Sequence, residues 1–202
     1  MQRRDMVGAL LGAIAVLAIL LVVFTGPCPP EGFAFSESRR AVHRLKNRTN
    51  LPLETNFNRN LTLELLLQPG DDRSRWSHDQ AAKLQGYVVS VGKAGVELAN
   101  CYVGRDIHIN IALRPDAPMR EQMVVEVTPP MREWAKSRGW DWSEEGLKAL
   151  VGHWCSFEGW LFFDATHAKE SENIAPGQPD NWRGTAWEIH PVTKIDVLIR
   201  KI

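Results

Sequence analysis

The sequence predicts a mainly β protein: a small antiparallel β-barrel with a few short helices, preceded by one N-terminal transmembrane helix. Two observations predict this class. Residues 6–25 are apolar and uncharged, and from Gly86 onward short segments rich in Val, Ile, Phe and Trp alternate with Gly, Pro and charged residues. The 202 residues suit one core, and 24 basic against 24 acidic residues leave no net charge to attract polyanions. Nucleic acid is therefore not expected as a partner.

The apolar segment 6–25, MVGALLGAIAVLAILLVVFT, is long enough to cross a bilayer as a helix. Cleaved signal peptides have a shorter apolar region of about 7–15 residues, so we expect an uncleaved signal anchor, with cleavage as the open alternative. Arg3 and Arg4 precede the span, which predicts that residues 1–5 are a short cytoplasmic N-terminus. The protein is therefore expected to be a single-pass membrane protein whose C-terminal domain is extracytoplasmic, in the periplasm or at the cell surface.

Residues 26–50 are rich in Pro, Gly, Ser and charge and show little periodicity, so they are predicted to be a flexible tether. Residues 51–202 are predicted to form a single barrel domain. Six segments after Gly86 have the composition of strands: GYVVSVG, GVELANCYV, DIHINIAL, MVVEVTP, CSFEGWLFFD and TAWEIHPVTKIDVLI.

A short helix is predicted in WSEEGLKALVG, between the fourth and fifth of these segments, with Ser143 as its N-cap. A small antiparallel barrel with one helix inserted between strands is the arrangement of an oligonucleotide/oligosaccharide-binding (OB) fold. A β-sandwich would use similar strands and remains the alternative.

The strand segments also contain the motifs GYVV, DxHI, EVTP, GWLFFDxxH and WEIHPVT. Taken together, over roughly residues 45 to 199, they resemble a family of uncharacterised bacterial membrane-anchored proteins. The resemblance implies an OB-like domain. It implies no activity and no catalytic residues.

Three strand segments place acids or histidines opposite their apolar rows, because side chains alternate between the two faces of a strand. Further polar candidates lie where GWLFFDATH leaves the barrel. The candidate catalytic residues are Asp106, His108, Glu126, Asp164, His167, Glu188 and His190. The plainer interpretations are a solvated strand face and, for Asp164, a turn cap.

Imidazole and carboxylate groups are metal ligands, which makes His108, His167 and His190 candidate metal ligands. None has the close spacing of a metal motif such as H-E-x-x-H, so no cofactor is predicted and a divalent metal is the open alternative. A histidine held by a carboxylate is also suited to acid and base catalysis of hydrolysis.

Aromatic and guanidinium groups bind polar ligands on such barrels, and the candidate ligand-binding residues are Trp182, Arg183 and Trp160. The alternative interpretation is that Trp182 packs over the loop as a hydrophobic lid and that Arg183 pairs with one of the nearby acids. The segment MREWAKSRGWDW, residues 131–142, is a second candidate rim. We therefore expect a membrane-tethered binding module that recognises a polar ligand, such as a glycan, peptide or anion, through a His/acid face and a Trp/Arg rim. The alternatives are a hydrolase of the phosphodiesterase or nuclease-like class and a structural partner in an envelope complex.

In an oxidising compartment Cys101 and Cys155 are the candidates for a disulfide, and two buried free thiols are the alternative. Cys28 follows Pro27, which fits a lipid-attachment site poorly, so it is expected to be free or paired between chains.

Overall fold

The structure is a computed structural model that describes residues 28–198. The expected cytoplasmic N-terminus, 1–5, and the expected transmembrane segment, 6–25, lie outside the described residues. Within residues 28–198, no helix has both the length and the apolar character needed to span a bilayer.

Five strands form a closed barrel in the order β1-β2-β3-β5-β4. Their bounds are Ala81–Lys93 for β1, Ile107–Ala112 for β2, Met123–Val127 for β3, Trp154–Phe163 for β4 and Trp187–Val197 for β5. Neighbouring strands are antiparallel except β3 and β5, which pair in parallel at Val125 and Ile189. The expected β-barrel is confirmed, with the correction that one of its strand pairs, β3 with β5, is parallel.

Four α-helices accompany the barrel within the described residues: α1 Glu37–Lys46, α2 Leu63–Leu66, α3 Pro129–Lys136 and α4 Glu144–Lys148. The predicted helix after Ser143 is confirmed as α4, because the Ser143 hydroxyl accepts the Gly146 N–H at 3.1 Å. The segment GVELANCYV is not a strand. It forms a 3₁₀ turn, Leu98–Asn100, in the connection between β1 and β2.

Apolar residues from all five strands fill the barrel, and the isoleucines of β2 show the pattern most clearly. Ile107, Ile109 and Ile111 are completely buried together with Val125 and Ile189 from the neighbouring strands. The polar residues between them therefore point to the outer side of the barrel wall.

The segment predicted to be a flexible tether instead contains α1 and packs on the barrel. Ser36 caps the helix by accepting the Arg39 N–H. His43 is buried and its Nδ1 lies 2.7 Å from the Glu31 carbonyl oxygen. The Asn47 amide donates to the Ala99 carbonyl at 2.8 Å. The ordered domain therefore extends back to the first described residues and does not begin at residue 51.

A disulfide joins Cys28 to Cys101, with Cα atoms 5.7 Å apart. This corrects the expectation that Cys101 pairs with Cys155, since Cys155 is a buried free thiol in β4. Cys28 was expected to be free or paired between chains, but its partner lies 73 residues along the same chain. The bond holds the beginning of the described chain against the loop between β1 and β2.

Peptide mapping without reductant tests this pairing. We expect one linked pair of peptides containing Cys28 and Cys101, because these are the two cysteines in contact. Cys155 should react with an alkylating reagent only after unfolding, since its side chain is buried. A Cys101 to Cys155 link, or alkylation of Cys28 in the folded protein, would contradict the structure.

Candidate functional site

The register of three strands brings the polar candidates of the outer face together. His108 of β2 lies directly opposite Glu126 of β3. The parallel pairing of Val125 with Ile189 places the next residues, Glu126 and His190, side by side. The alternation seen in the sequence therefore does put these acids and histidines on one surface of the sheet.

This outer surface is covered by other parts of the chain. Trp182 and Arg183, in the connection between β4 and β5, lie over it, and Lys46 at the end of α1 reaches towards it. As a result Glu188 is 1% exposed and His190 is 0% exposed, although both lie outside the barrel interior. The polar residues are buried between the barrel wall and its cover.

Arg183 is at the centre of one half of this buried group. Its guanidinium donates to Asp164 Oδ2 at 2.9 Å and to Glu188 Oε2 at 2.7 Å, and the side chain has no exposed surface. The other Glu188 oxygen lies 3.0 Å from His190 Nδ1. Because a carboxylate accepts hydrogen bonds, Nδ1 of His190 carries a proton in this contact.

Glu126 is at the centre of the other half. Its Oε1 lies 2.9 Å from His108 Nε2 and its Oε2 lies 3.4 Å from His190 Nδ1. On the far side of the same imidazole, His190 Nε2 is 3.7 Å from Asp106 Oδ2. The Asn100 amide donates to the other Asp106 oxygen at 3.1 Å. Asp106, Glu126 and His190 thus offer ligand atoms that all lie within 4.8 Å of one another.

The charges of this group shift its pKa values in opposite directions. Burial favours neutral Asp106 and raises its pKa to about 6. Burial also disfavours the Glu126 carboxylate, but the positive charges of His190 and His108 outweigh it and hold the pKa of Glu126 below its usual range. The pKa of His190 is raised despite its burial, because Glu126 and Glu188 stabilise the imidazolium. Asp106 and Glu126 both lie beside the His190 ring, but the pKa of Asp106 is raised and that of Glu126 is lowered.

His167 and His108 form the partly exposed edge of the group, on either side of Trp182. The His108 ring is nearly parallel to Trp182 at 6.3 Å, and the His167 ring meets Trp182 edge-on at 5.6 Å. His167 Nδ1 lies 2.6 Å from Asp164 Oδ2, and Asp164 Oδ1 also accepts the backbone N–H of residue 166 at 3.1 Å. Asp164 therefore caps its turn and binds a histidine at the same time.

The predicted Trp/Arg rim is not a rim. Arg183 is buried in its two ion pairs, and its guanidinium lies 4.5 Å from the Trp182 ring. Trp160 is 6% exposed, lies under the Arg48 guanidinium at 4.6 Å and donates from Nε1 to the Asn50 carbonyl at 2.8 Å. Trp160 therefore contacts a different part of the cover, and of the three candidates only Trp182 retains partial exposure.

The three candidate metal-ligand histidines also have different surroundings. His108 bonds Glu126, and His167 bonds Asp164 at the edge. Only His190 belongs to the three-residue cluster with Asp106 and Glu126. Lys46 and Asn100 complete the surroundings of this cluster. Neither was a predicted site residue, because Lys46 lies in the segment predicted to be a tether and Asn100 in a predicted strand that instead forms a turn.

A groove of about 1040 Å³ lies beside this buried group and has an open side. Its walls come from the segment around Pro30, the residues after α1, the loop at Asn100, and α3 with the residues that follow it. Trp140, 43% exposed, is a flat aromatic surface in the groove. It lies against Trp134 at 5.4 Å and Trp142 at 5.9 Å, within the second candidate rim of residues 131–142.

Comparison with known proteins gives no matching family model, and no curated protein and no solved structure is significantly similar to the chain. The resemblance noted from the motifs therefore stays a prediction.

We expect Arg183→Gln to lower the free energy of unfolding by about 3–5 kcal/mol, because it leaves the carboxylates of Asp164 and Glu188 buried without their counter-charge. Arg59→Gln is the matched control, since Arg59 pairs with Glu54 in a fully exposed position and such pairs contribute little. Urea unfolding of the full chain in detergent micelles, followed by Trp fluorescence, measures both. Equal effects of the two substitutions would contradict the central role of Arg183.

The His167 contact predicts a pH-dependent contribution to stability. The hydrogen bond from His167 to Asp164 raises the pKa of His167 above its usual value. Stabilisation by protonated His167 is therefore complete below the unfolded pKa of about 6.5 and is lost as the pH rises through the higher folded pKa. Because the ring is partly exposed, we expect less than about 1 kcal/mol.

Melting temperatures of the wild type and His167→Gln at pH 5.5 and pH 8 test this contribution. The difference between the two proteins should be larger at pH 5.5. His153→Gln is the control, because His153 is exposed and has no ion pair among the described residues. A difference that grows with pH would contradict the assignment.

Proposed function

We propose that this protein is a membrane-anchored binding module with an OB-like barrel, and that its ligand is a neutral glycan bound in the groove at Trp140. The strand order β1-β2-β3-β5-β4, with helices between β3 and β4, supports the OB-like assignment. The exposed Trp140 within a groove of about 1040 Å³ is the observation that carries the ligand proposal.

The composition of the groove favours a neutral polar ligand over an anion. Arg132 and Lys136 line it together with Glu133 and Asp141, so basic and acidic side chains are balanced. Trp140 offers the flat apolar face on which a sugar ring can stack, and a tryptophan left this exposed gains by being covered. A glycan suits such a site because it has both apolar faces and hydroxyl groups.

Two amide side chains at the groove are held in fixed positions. The Asn47 amide donates to the Pro30 carbonyl at 3.1 Å and to the Ala99 carbonyl at 2.8 Å. The Asn100 amide donates to Asp106. These bonds hold this wall of the groove in place before a ligand arrives, so binding needs little rearrangement of it.

The hydrolase alternative has less support. A catalytic group must reach a substrate, but Glu188 and His190 are completely covered and engaged with Arg183 and Glu126. His108 and His167 are partly exposed, yet each is bonded to a carboxylate beside the ring of Trp182. We therefore assign the buried polar group to holding the cover in place and the groove to binding.

The proposed location is outside the cytoplasm, with residues 6–25 as the anchor. The Cys28–Cys101 disulfide supports this, because such bonds persist in oxidising compartments. The arginines before the apolar segment favour the same orientation.

We expect Trp140→Ala to weaken glycan binding about tenfold or more, because it removes the stacking surface. The measurement is binding of the full chain in detergent micelles to an array of neutral and anionic oligosaccharides, followed by titration of the best ligand. Phe35→Ala is the control, since Phe35 is also exposed but does not line the groove. Absence of binding by the wild type, or equal losses in both variants, would contradict the proposal. Selective binding of anionic sugars would contradict the inference that the balanced charges of the groove favour a neutral ligand.

A further inference from the structure

His190 presents an unused nitrogen to the buried carboxylate of Asp106. Its Nδ1 donates to Glu188 Oε1 at 3.0 Å. Glu188, which also accepts from Arg183, therefore fixes the proton on this side of the ring. Its Nε2 has no hydrogen-bond partner within the described residues and lies 3.7 Å from Asp106 Oδ2. A fully buried imidazole nitrogen without a partner needs an explanation.

A buried carboxylate oxygen beside the same imidazole is also free of hydrogen bonds. Glu126 Oε2 has no hydrogen-bond partner within the described residues, although its other oxygen is bound to His108. Asp106 is held through Oδ1 by Asn100, and its Oδ2 faces His190 at a distance too long for a hydrogen bond. The ligand atoms of Asp106, Glu126 and His190 lie within 4.8 Å of one another, so small movements of the side chains would bring all three onto one ion.

We propose that Asp106, Glu126 and His190 bind one divalent transition-metal ion. The donor set of one imidazole nitrogen and two carboxylate oxygens suits Zn²⁺ or Mn²⁺ better than Mg²⁺ or Ca²⁺, which prefer oxygen ligands alone. His190 binds through Nε2, because Nδ1 is committed to Glu188. The two carboxylates each contribute one oxygen.

Each proposed ligand is oriented by a further hydrogen bond, as is usual in protein metal sites. Glu188 fixes the ring of His190, Asn100 fixes Asp106 and His108 fixes Glu126. These three contacts leave the ligand atoms facing one another with little freedom. The site is therefore built before the ion arrives.

The balance of buried charge also favours a cation. The carboxylates of Asp106, Glu126 and Glu188 are all at most 4% exposed. The buried guanidinium of Arg183 is shared between Glu188 and Asp164, and the Lys46 ammonium is paired with Glu97 at the edge of the group. A divalent ion on His190 Nε2 takes the place of a proton on that nitrogen and adds positive charge between Asp106 and Glu126.

The metal site does not depend on the glycan proposal. Asn100 lines the groove and also donates a hydrogen bond to Asp106. The groove and the metal site are therefore neighbours, but their ligands are different. Metal content and glycan binding are measured separately, so the failure of one proposal is distinguishable from the failure of the other.

Elemental analysis of the full chain, purified in detergent without chelator from cells grown with added zinc and manganese, tests the proposal directly. We expect about one metal ion per chain, retained through gel filtration because the site is buried. Wild-type protein that holds no metal, and whose melting temperature does not change after refolding with Zn²⁺ or Mn²⁺, would overturn the proposal without recourse to any variant.

Two substitutions then locate the ion. Asp106→Asn should lose at least nine-tenths of the bound metal and the rise in melting temperature that the metal gives. Asp116→Asn is the matched control, because Asp116 is exposed, pairs with Arg114 and lies outside the cluster. If Asp106→Asn fails to fold, Glu126→Gln gives the same test. Full metal content in a folded variant of either ligand would overturn the assignment of the site.

Discussion

The buried guanidinium of Arg183 is the interaction on which the rest of the structure depends. It joins Asp164, at the end of β4, to Glu188, in β5, and so fixes both ends of the long connection between these strands. A buried carboxylate without a counter-charge is strongly destabilising, so neither acid would remain in place without Arg183. With that connection held on the barrel wall, Trp182 covers His108, and His190 and Glu126 are closed off from water.

The cover changes which surface of the barrel is available to other molecules. OB folds commonly bind their ligands on the outer face of strands 2 and 3, between the loops that flank it. On the proposed OB-like barrel, the corresponding face of β2 and β3 carries His108 and Glu126 and is occupied by the protein's own Trp182 and Arg183. The open groove lies to one side, where the N-terminal segment meets α3. The connection that carries Trp182 and Arg183 therefore both buries this polar face and leaves the open groove to one side of it.

Local periodicity accounts for what the sequence predicted well. The isoleucines of β2 alternate with polar residues, which placed His108 opposite a buried row. The alternation along β3 did the same for Glu126. The cover was not predictable in this way. Helix α1 buries only His43, so no apolar stripe marks it, and Lys46 reaches Glu97 across 51 residues. The pairing of Arg183 with nearby acids was one of the interpretations open from the sequence. Its complete burial gave no local signal, because an arginine in a connection rich in Gly, Asn and Pro is normally solvated. The pairing of Cys28 with Cys101 gave no local signal either, because the two cysteines are 73 residues apart in the sequence.

If residues 6–25 anchor the protein as proposed, the disulfide at Cys28 also sets how far the domain can stand from a bilayer. In the proposed topology the span ends at residue 25, and three residues of extended chain reach at most about 11 Å. Cys28 and Pro30 themselves line the groove. A ligand in that groove would therefore sit within about one lipid headgroup layer of the membrane surface, and the protein would sample molecules that lie on the membrane in preference to those free in the surrounding space.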